Sequence, residues 1–504
     1  MKGTRLSADN IRYIEDDFVK ALMIDSRMAK DPHVIDRINY VVKKKINDAK
    51  KGDLKIHGNY AQVSGDPFAL CQKIFEIEVK DNDYGLLRAG EIYSKYWVDR
   101  NTEEIVCFRA PMSVMNNIRK MKVVDNEMVR KWYKYMTTVN ILNCHDTTCA
   151  AMNGCDMDGD AFITTDNPIL LRHTLNSPTI VCVQRKAAKE IITEEALARS
   201  NTQSFGSDIG SITNRVTSMY EIMAGFDKNT VEYEILDYRT KCGQLLQQNS
   251  IDRTKGIISK PMPESWYLAV NILDKPDDTD EVKAQKELYR KIVANKKPYF
   301  MNYVYPEQRI QYNKYIKASN MKCSILFGMT VDELTAKENK SAEEEDFLYW
   351  YHKQMPVGMN PCVMNKIAWK VEEAFKGYVA QIKAETDFDY NILKTDAEYQ
   401  RKDFNEIKRL YKQYQHEVQN YCRVASRSRI DSDESTVQKE MMKQLFGRKC
   451  YEVVPNRYQL CNILLDLCYQ SSDSKQFAWE IVGDVIIENL LNNNNRKIKY
   501  IEHD

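Results

Sequence analysis

Glycine, long apolar runs and paired cysteines are all scarce in this chain of 504 residues. Glycine occurs 18 times against 30 tyrosines, which argues against flexible linkers and low-complexity segments. No apolar run approaches the roughly 18 residues that suggest a membrane-spanning helix, so no membrane association is expected. The 13 cysteines are scattered, with no C-x-x-C pair and no Cys/His spacing suited to zinc. The sequence therefore predicts an intracellular protein without a disulfide scaffold.

The chain also lacks an excess of charge of either sign. Lys and Arg number 73 and Asp and Glu number 72, which gives a formal net charge of +1. This balance excludes a basic module that binds nucleic acid over its whole surface, so any such site has to be a local patch. The composition, 43% hydrophobic and 29% charged, is that of an ordinary globular protein, and the length suggests about three domains.

Hydrophobic periodicity separates helical ends from a β-rich middle. Apolar residues at three-to-four spacing predict helices before residue 52 and after residue 186, with buried stripes such as Ile209 to Met223. A further stripe is predicted at Ile235, Tyr238, Cys242 and Leu245. Short β-like runs separated by turn residues are predicted at 54–63, 74–79, 91–97, 105–108, 139–142, 161–165 and 179–183. Residues 112–136 are predicted to be helical, and the whole pattern favours an α+β fold with a β unit embedded in helices.

Three aspartates stand at alternate positions in one short segment: Asp156, Asp158 and Asp160. Alternate residues of an extended strand share a face, and a turn at Gly159 would let the three carboxylates converge. Three anions at such range resist ionising together, and a divalent cation relieves that conflict. Oxygen-only ligands favour Mg²⁺, with Mn²⁺ as a possible substitute. The segment therefore predicts a magnesium site.

Two other interpretations of these aspartates are available. An EF-hand loop also begins D-x-D-x-D, but its sixth position requires Gly and its twelfth Glu, where this chain has Ala161 and Asn167. A solvated acidic turn is the second interpretation, because Asp-Gly pairs are common in turns. The flanking segments 149–152 and 161–163 are apolar, which favours a turn held between buried elements and hence a metal site.

The D-x-D-G-D segment resembles the metal-binding loop of the double-psi β-barrel RNA polymerases. That family includes the largest subunit of cellular RNA polymerases, the RNA-directed RNA polymerases of RNA silencing and the single-chain RNA polymerases of phages. Upstream, Phe108-Arg109-Ala110-Pro111 resembles the family's R-x-P element, and the segment 86–93 resembles a strand entering the catalytic barrel. Downstream, the segment 250–256, S-I-D-R-T-K-G, partly matches the signature that follows the barrel in silencing-type enzymes. The resemblance covers about residues 50–260.

The resemblance implies a double-psi β-barrel catalytic domain at 53–186. Helical regions would flank it at 1–52, 187–260 and 261–504. The implied activity is template-directed RNA synthesis by nucleotidyl transfer with release of pyrophosphate. Asp156, Asp158 and Asp160 would hold a first Mg²⁺ that activates the 3′-hydroxyl, while a second ion arrives with the nucleoside triphosphate. The implied substrate-binding residues are Arg109, Pro111, Arg253 and Lys255.

The chain departs from the family in one large respect. The family's active site lies between two barrels, and the other barrel contributes lysines to the nucleotide phosphates. No second β-rich block is evident, so the resemblance implies a large-subunit-like half that requires a second barrel-bearing polypeptide. The other implied partners are the nucleic-acid template, the RNA product and nucleoside triphosphates. The implied location is the cytoplasm of a phage-infected bacterium, or a virion.

Several functional assignments stay open at this point. DNA-directed synthesis is the leading expectation, with RNA-directed synthesis as the alternative, because template choice depends on contacts spread over many residues. An archaeal-type DNA polymerase large subunit uses the same barrel, but the match at 250–256 weighs against it. A different class is a non-catalytic subunit for nucleic-acid binding or assembly, or an inactive fragment.

Overall fold

The computed structural model describes residues 14–189, 191–204, 208–268, 274–376, 388–428, 432–471 and 474–494. The chain forms two compact units, a terminal unit of residues 1–46 and 375–504 and a barrel unit of residues 47–374. The barrel unit contains a closed six-stranded β-barrel, and helices make up most of the rest. The predicted α+β fold, with a barrel core embedded in helices, is confirmed. Among the helices described, none combines the length and the apolar character needed to cross a membrane.

The barrel strands are β1 (Asn59–Gly65), β2 (Glu91–Ser94), β3 (Glu104–Phe108), β4 (Ile118–Val123), β5 (Val139–Leu142) and β6 (Ala161–Thr165). They close in the order β1-β5-β2-β4-β3-β6. The pairs β1/β5 and β2/β4 are parallel, and the other four ladders are antiparallel. Exchanging β1–β3 for β4–β6 leaves this map unchanged. The barrel therefore has the two-fold arrangement of a double-psi barrel, in which the two parallel pairs are equivalent and each joins one half to the other.

Alternation along the strands fills the barrel interior with apolar side chains. Ile92, Ile105, Met121, Ile141 and Phe162 are all at most 2% exposed and belong to one cluster. Burying each such side chain stabilises the fold by about 1.5–3 kcal/mol. The largest member of the cluster is Trp97, which is fully buried and lies just after β2. Its indole nitrogen donates a hydrogen bond to the Thr164 hydroxyl on β6 at 2.7 Å. This bond ties the β2 end of the barrel to the strand that follows the aspartates.

Helices precede and follow the barrel strands along the described part of the chain. The helices up to the end of the barrel are α1 (Asp17–Ile24), α2 (Pro32–Lys50), α3 (Pro67–Ile74), α4 (Lys95–Val98), α5 (Glu127–Trp132), α6 (Thr148–Ala151) and α7 (Pro168–His173). The next helices are α8 (Glu194–Ser204), α9 (Ile209–Met223), α10 (Val231–Ile251), α11 (Asp280–Ile292), α12 (Pro306–Phe327), α13 (Val331–Ala336), α14 (Ala342–Gln354) and α15 (Val363–Ala374). The last are α16 (Arg401–Ser428), α17 (Ser432–Val453), α18 (Arg457–Tyr469) and α19 (Gln476–Asn493). Two short strands, β7 (Lys297–Pro298) and β8 (Val357–Gly358), pair in parallel away from the barrel.

The prediction of a helix over 112–136 is wrong for its middle, which forms the barrel strand β4. Its basic residues at 119, 120 and 122 favour a helix locally, but β4 pairs with β3 from Ile118 to Lys122 and also with β2. Tertiary pairing therefore overrides the local preference. The runs at 74–79 and 179–183 are not strands, and Ile77, Val181 and Val183 are largely exposed. These runs have strand-like composition but no neighbouring strand to pair with among the described residues.

The terminal unit has a core built from both ends of the chain. Residues from α1 and from α16–α19 form one apolar cluster, which includes Ile24, Phe446 and Leu464. Asp31 precedes α2, and its carboxylate accepts a hydrogen bond from the Tyr469 hydroxyl at 2.6 Å. Sequence periodicity predicted helices in both segments but gave no reason to join them. The finer division at residues 52, 186 and 260 stays a prediction.

Candidate metal centre

The three aspartates lie in the loop between α6 and β6. Asn153 (φ 60°) and Gly154 (φ 66°) adopt left-handed conformations that turn the chain after α6, and Gly159 (φ 127°) turns it again before β6. Residues that have a side chain rarely adopt such backbone angles, so glycine at two of these three positions suits the loop. Each aspartate offers one carboxylate oxygen, and the three oxygens lie within 4.8 Å of one another.

This donor set fits a divalent cation. All three groups are carboxylates, which are hard oxygen ligands of the kind that Mg²⁺ and Mn²⁺ prefer. The Asp160 side chain is 19% exposed, whereas those of Asp156 and Asp158 are 45% and 66% exposed. One ligand is therefore anchored in the protein, and the other two face solvent, where an ion and its remaining ligands have access.

The electrostatics of the loop reflect crowding of like charges. A hydrogen bond from Asp158 and another from Lys255 lower the pKa of the Asp156 carboxyl. The same contact raises the pKa of Asp158, because its proton is shared with Asp156 and its charge is opposed by the neighbouring carboxylate. The pKa of Lys255 is raised by its hydrogen bonds to Asp156 and Asp252. This pattern is that of adjacent carboxylates that resist ionising together.

Arg109 follows β3 and holds the carboxylate loop from the side. Its Nη2 donates to Asp160 Oδ1 at 2.8 Å, and its Nη1 donates to the carbonyls of Met152 and Asn153 at 3.3 and 3.2 Å. The backbone amide of Asp156 in turn donates to Asp160 Oδ2 at 2.9 Å. Arg109 and one loop amide thus fix both oxygens of Asp160, which explains why this carboxylate is the anchored member of the triad.

Pro111 reaches the same loop through its backbone. The Ala110–Pro111 peptide bond is cis. The Pro111 carbonyl accepts a hydrogen bond from Asn153 Nδ2 at 3.2 Å. The R-x-P element is therefore joined to the carboxylate loop both by Arg109 and by Pro111.

Lys255 and Arg253 lie in a single 3₁₀ turn (Asp252–Lys255) that follows α10. The Lys255 ammonium lies 3.0 Å from Asp156 Oδ2, 3.9 Å from Asp158 Oδ2 and 3.3 Å from Asp252 Oδ1. The turn ends at Gly256 (φ 79°). The Arg253 guanidinium makes no hydrogen bond or ion pair within the described part of the chain. Of the two basic residues, Lys255 alone contacts the carboxylates.

The structure adds residues behind the loop that the sequence did not single out. The predicted apolar stripe of α10 is wrong at Tyr238, which is 64% exposed, whereas Ile235 packs against the apolar cluster that α9 shares. From Thr240 onward the buried face of the helix is polar. That face carries Thr240, Gln244, Gln247 and Gln248, all at most 9% exposed. Their three-to-four spacing was visible in the sequence. Periodicity, however, weighs apolar residues and gives buried amides no signal.

Comparisons with known proteins come from structure rather than sequence. No known protein family and no curated protein matches the sequence. The solved structure of the RNA dependent RNA polymerase QDE-1 from Thielavia terrestris is similar over 96% of this chain, with 10% identity and a TM-score of 0.41. The chain spans about half of that polymerase, since 51% of its length is covered. What carries the resemblance to the double-psi β-barrel RNA polymerases is therefore this chain's own barrel topology and the convergence of its three aspartates.

Proposed function

We propose that this chain is the large-subunit-like catalytic part of a template-directed RNA polymerase. The observation that carries the proposal is the convergence of Asp156, Asp158 and Asp160 on a loop of a double-psi barrel, beside Arg109 and Lys255. A solvated acidic turn would not require a partly buried arginine to fix one carboxylate. The same arrangement supports the proposal over a purely structural or assembly role.

In this proposal the chain's residues divide the work of nucleotidyl transfer. The three aspartates hold Mg²⁺, which when bound supplies charge stabilisation for the attacking and leaving oxygens. Arg109 keeps Asp160 and the loop carbonyls in place. The nucleoside triphosphate binds against Arg109, Pro111, Arg253 and Lys255. Among them Lys255, whose side chain is 56% exposed, presents its ammonium beside the carboxylates and suits phosphate oxygens as a point charge.

The proposal includes a second polypeptide and leaves the template open. Within the described ranges, strands outside the barrel are limited to the two-residue β7 and β8, so no second barrel is formed there. We therefore propose that a separate barrel-bearing polypeptide completes the active site. DNA and RNA templates are both compatible with the carboxylate loop, because groove shape and 2′-hydroxyl contacts are what distinguish them.

The test is incorporation of labelled nucleotides into RNA with Mg²⁺, on DNA and on RNA templates, primed and unprimed. The full chain is assayed alone and together with the product of the adjacent reading frame. In an active combination, Asp158→Ala should reduce incorporation by more than the roughly 10–100-fold that loss of an outer partner of a metal ligand costs. Asp125→Ala is the control, since that aspartate pairs with Arg130 on the surface of α5. Incorporation that survives Asp158→Ala unchanged contradicts the proposal.

A further inference from the structure

We propose that Gln247 positions the carboxylate loop through a directed chain of hydrogen bonds that begins on α9. The inference rests on the proposed function, because its consequence is measured at the metal centre. Gln247 is a residue of α10. Its side-chain hydrogen bonds go to Asn153 and Thr213, and none goes to the three carboxylates. Gln247 is therefore a positioning residue.

The chain of hydrogen bonds ends at the turn that precedes the aspartates. Asn153 is 2% exposed and has a left-handed backbone. Its Nδ2 donates to the Pro111 carbonyl at 3.2 Å and to Gln247 Oε1 at 3.3 Å. Its own carbonyl accepts from Arg109 Nη1 at 3.2 Å, and Arg109 also binds Asp160. Any displacement of Asn153 is thereby passed to the anchored carboxylate.

The orientation of the Gln247 amide is fixed from the other side. Gln247 Nε2 donates to Thr213 Oγ1 on α9 at 2.5 Å, and the Thr213 hydroxyl donates to the Ile209 carbonyl at 2.7 Å. A threonine hydroxyl has one proton, so Thr213 can only accept from Gln247. The amide must then present its oxygen to Asn153. The chain of bonds has one direction, and it selects one rotamer of the Gln247 amide.

Burial strengthens this chain of hydrogen bonds. Gln247 is 0% exposed, and hydrogen bonds in such surroundings are strengthened by the low dielectric. The next residue, Gln248, backs the same turn, because a Cβ placed on Gly154 would come within 2.3 Å of Gln248 Nε2. α10 therefore supports the turn at two adjacent points. Gln247 contributes the polar contact and Gln248 the steric one.

The experiment compares Gln247→Met with a matched control on the same helix. Gln244 lies one turn earlier and is also 0% exposed, but neither of its amide atoms has a partner in the described structure. Mn²⁺ binding to the full chain is measured by isothermal titration calorimetry. It is also measured by the decrease of the electron paramagnetic resonance signal of free Mn²⁺. We expect Gln247→Met to weaken Mn²⁺ binding about tenfold, the lower end of the range for residues that orient metal ligands. We expect Gln244→Met to leave it within about twofold.

Thr213 provides an independent variant pair. Thr213→Val removes the acceptor for Gln247 and should weaken Mn²⁺ binding in the same direction, whereas Thr213→Ser keeps the hydroxyl and should restore it. In an active polymerase preparation, kcat should fall more than the KM for nucleotide rises. This pair carries the test if Gln247→Met does not fold, and thermal unfolding of each variant establishes which ones do.

The outcomes separate this inference from the proposed function. A wild-type chain that binds no Mn²⁺ contradicts the metal centre itself. A wild-type chain that binds Mn²⁺, together with a folded Gln247→Met variant of equal affinity, overturns the positioning role alone. Equal weakening in Gln247→Met and Gln244→Met also overturns it, because general loss of packing would then explain both.

Discussion

Arg109→Met should loosen the carboxylate loop before it affects the rest of the molecule. The guanidinium spans three acceptors on two sides of the loop, Asp160 Oδ1 and the carbonyls of Met152 and Asn153. Methionine keeps much of the side chain's apolar volume but none of these bonds. Asp160 would lose its cationic partner, and the turn at Asn153 would keep only the Pro111 bond to the segment after β3.

The magnitude follows from the kind of bond and from its exposure. A hydrogen bond to a charged group contributes about 1.5–3 kcal/mol, and removal of one partner of a fully buried ion pair costs about 3–5 kcal/mol. The side chains of Arg109 and Asp160 are 14% and 19% exposed, so some of that loss is relieved by water. We therefore expect a cost of about 3 kcal/mol, and less for Arg109→Lys, whose ammonium cannot span all three acceptors.

Hydrogen exchange followed by mass spectrometry measures this cost locally. Two amides report on Asp160 directly, since Asp156 N donates to its carboxylate and Val63 N donates to its carbonyl. A loss of about 3 kcal/mol should speed exchange about 100-fold in the peptides that contain Asp156 and Val63 when exchange is limited by local opening. Peptides from α18, in the other unit, should exchange at the wild-type rate.

A surface arginine supplies the matched control for this measurement. Arg130 on α5 pairs with Asp125, which precedes that helix, and the Arg130 side chain is 62% exposed. Arg130→Met should leave exchange in the loop unchanged. If Arg109→Met also leaves the loop's exchange unchanged, or if Arg109→Lys is as damaging as Arg109→Met, then the three-acceptor argument is wrong.

Two further predictions concern glycine and histidine. Gly154→Ala should lower the melting temperature more than Gly90→Ala, because both glycines have positive φ but only Gly154 has a neighbour, Gln248, inside the space of the new Cβ; equal shifts in calorimetry would contradict this. Burial, aided by Arg37, lowers the pKa of His33 to about 4, so its neutral ring stabilises the terminal unit above the unfolded pKa near 6.5, and this contribution is lost as the pH falls towards 4. His33→Phe preserves the ring stacking on Trp479. In urea unfolding, it should reduce the change in unfolding free energy between pH 6.5 and pH 4 by about 3 kcal/mol, and an unchanged dependence of that free energy on pH would refute the prediction.

The parts of the molecule that sequence predicted are those that local pattern determines. Short β-like runs between turn residues marked most barrel strands, and the spacing of Asp156, Asp158 and Asp160 was enough to place three carboxylates on one loop. The turn at Gly159 followed from the same local reasoning. In each case the residues that carry the signal are neighbours in the chain.

The parts that sequence missed depend on partners that are distant in the chain. β4 is a strand because β2 and β3 flank it, not because of its own basic residues. The buried face of α10 is polar because Gln247 and Gln248 meet a turn formed by residues about a hundred positions earlier. The contacts of Lys255 with Asp156 likewise join distant positions. Hydrophobic periodicity contains no information about contacts between residues that are distant in the chain.

The strand map of the barrel also governs when the three aspartates can converge. Each of the six ladders joins a strand from residues 59–108 to a strand from residues 118–165, so neither half can build a sheet by itself. Thr164 on β6 bonds to Asn59 on β1 across 105 positions, and closing such long loops makes folding slow. The carboxylate loop lies directly before β6, the last barrel strand to be synthesised. We therefore expect a nascent chain to bring the three carboxylates together only when the barrel closes.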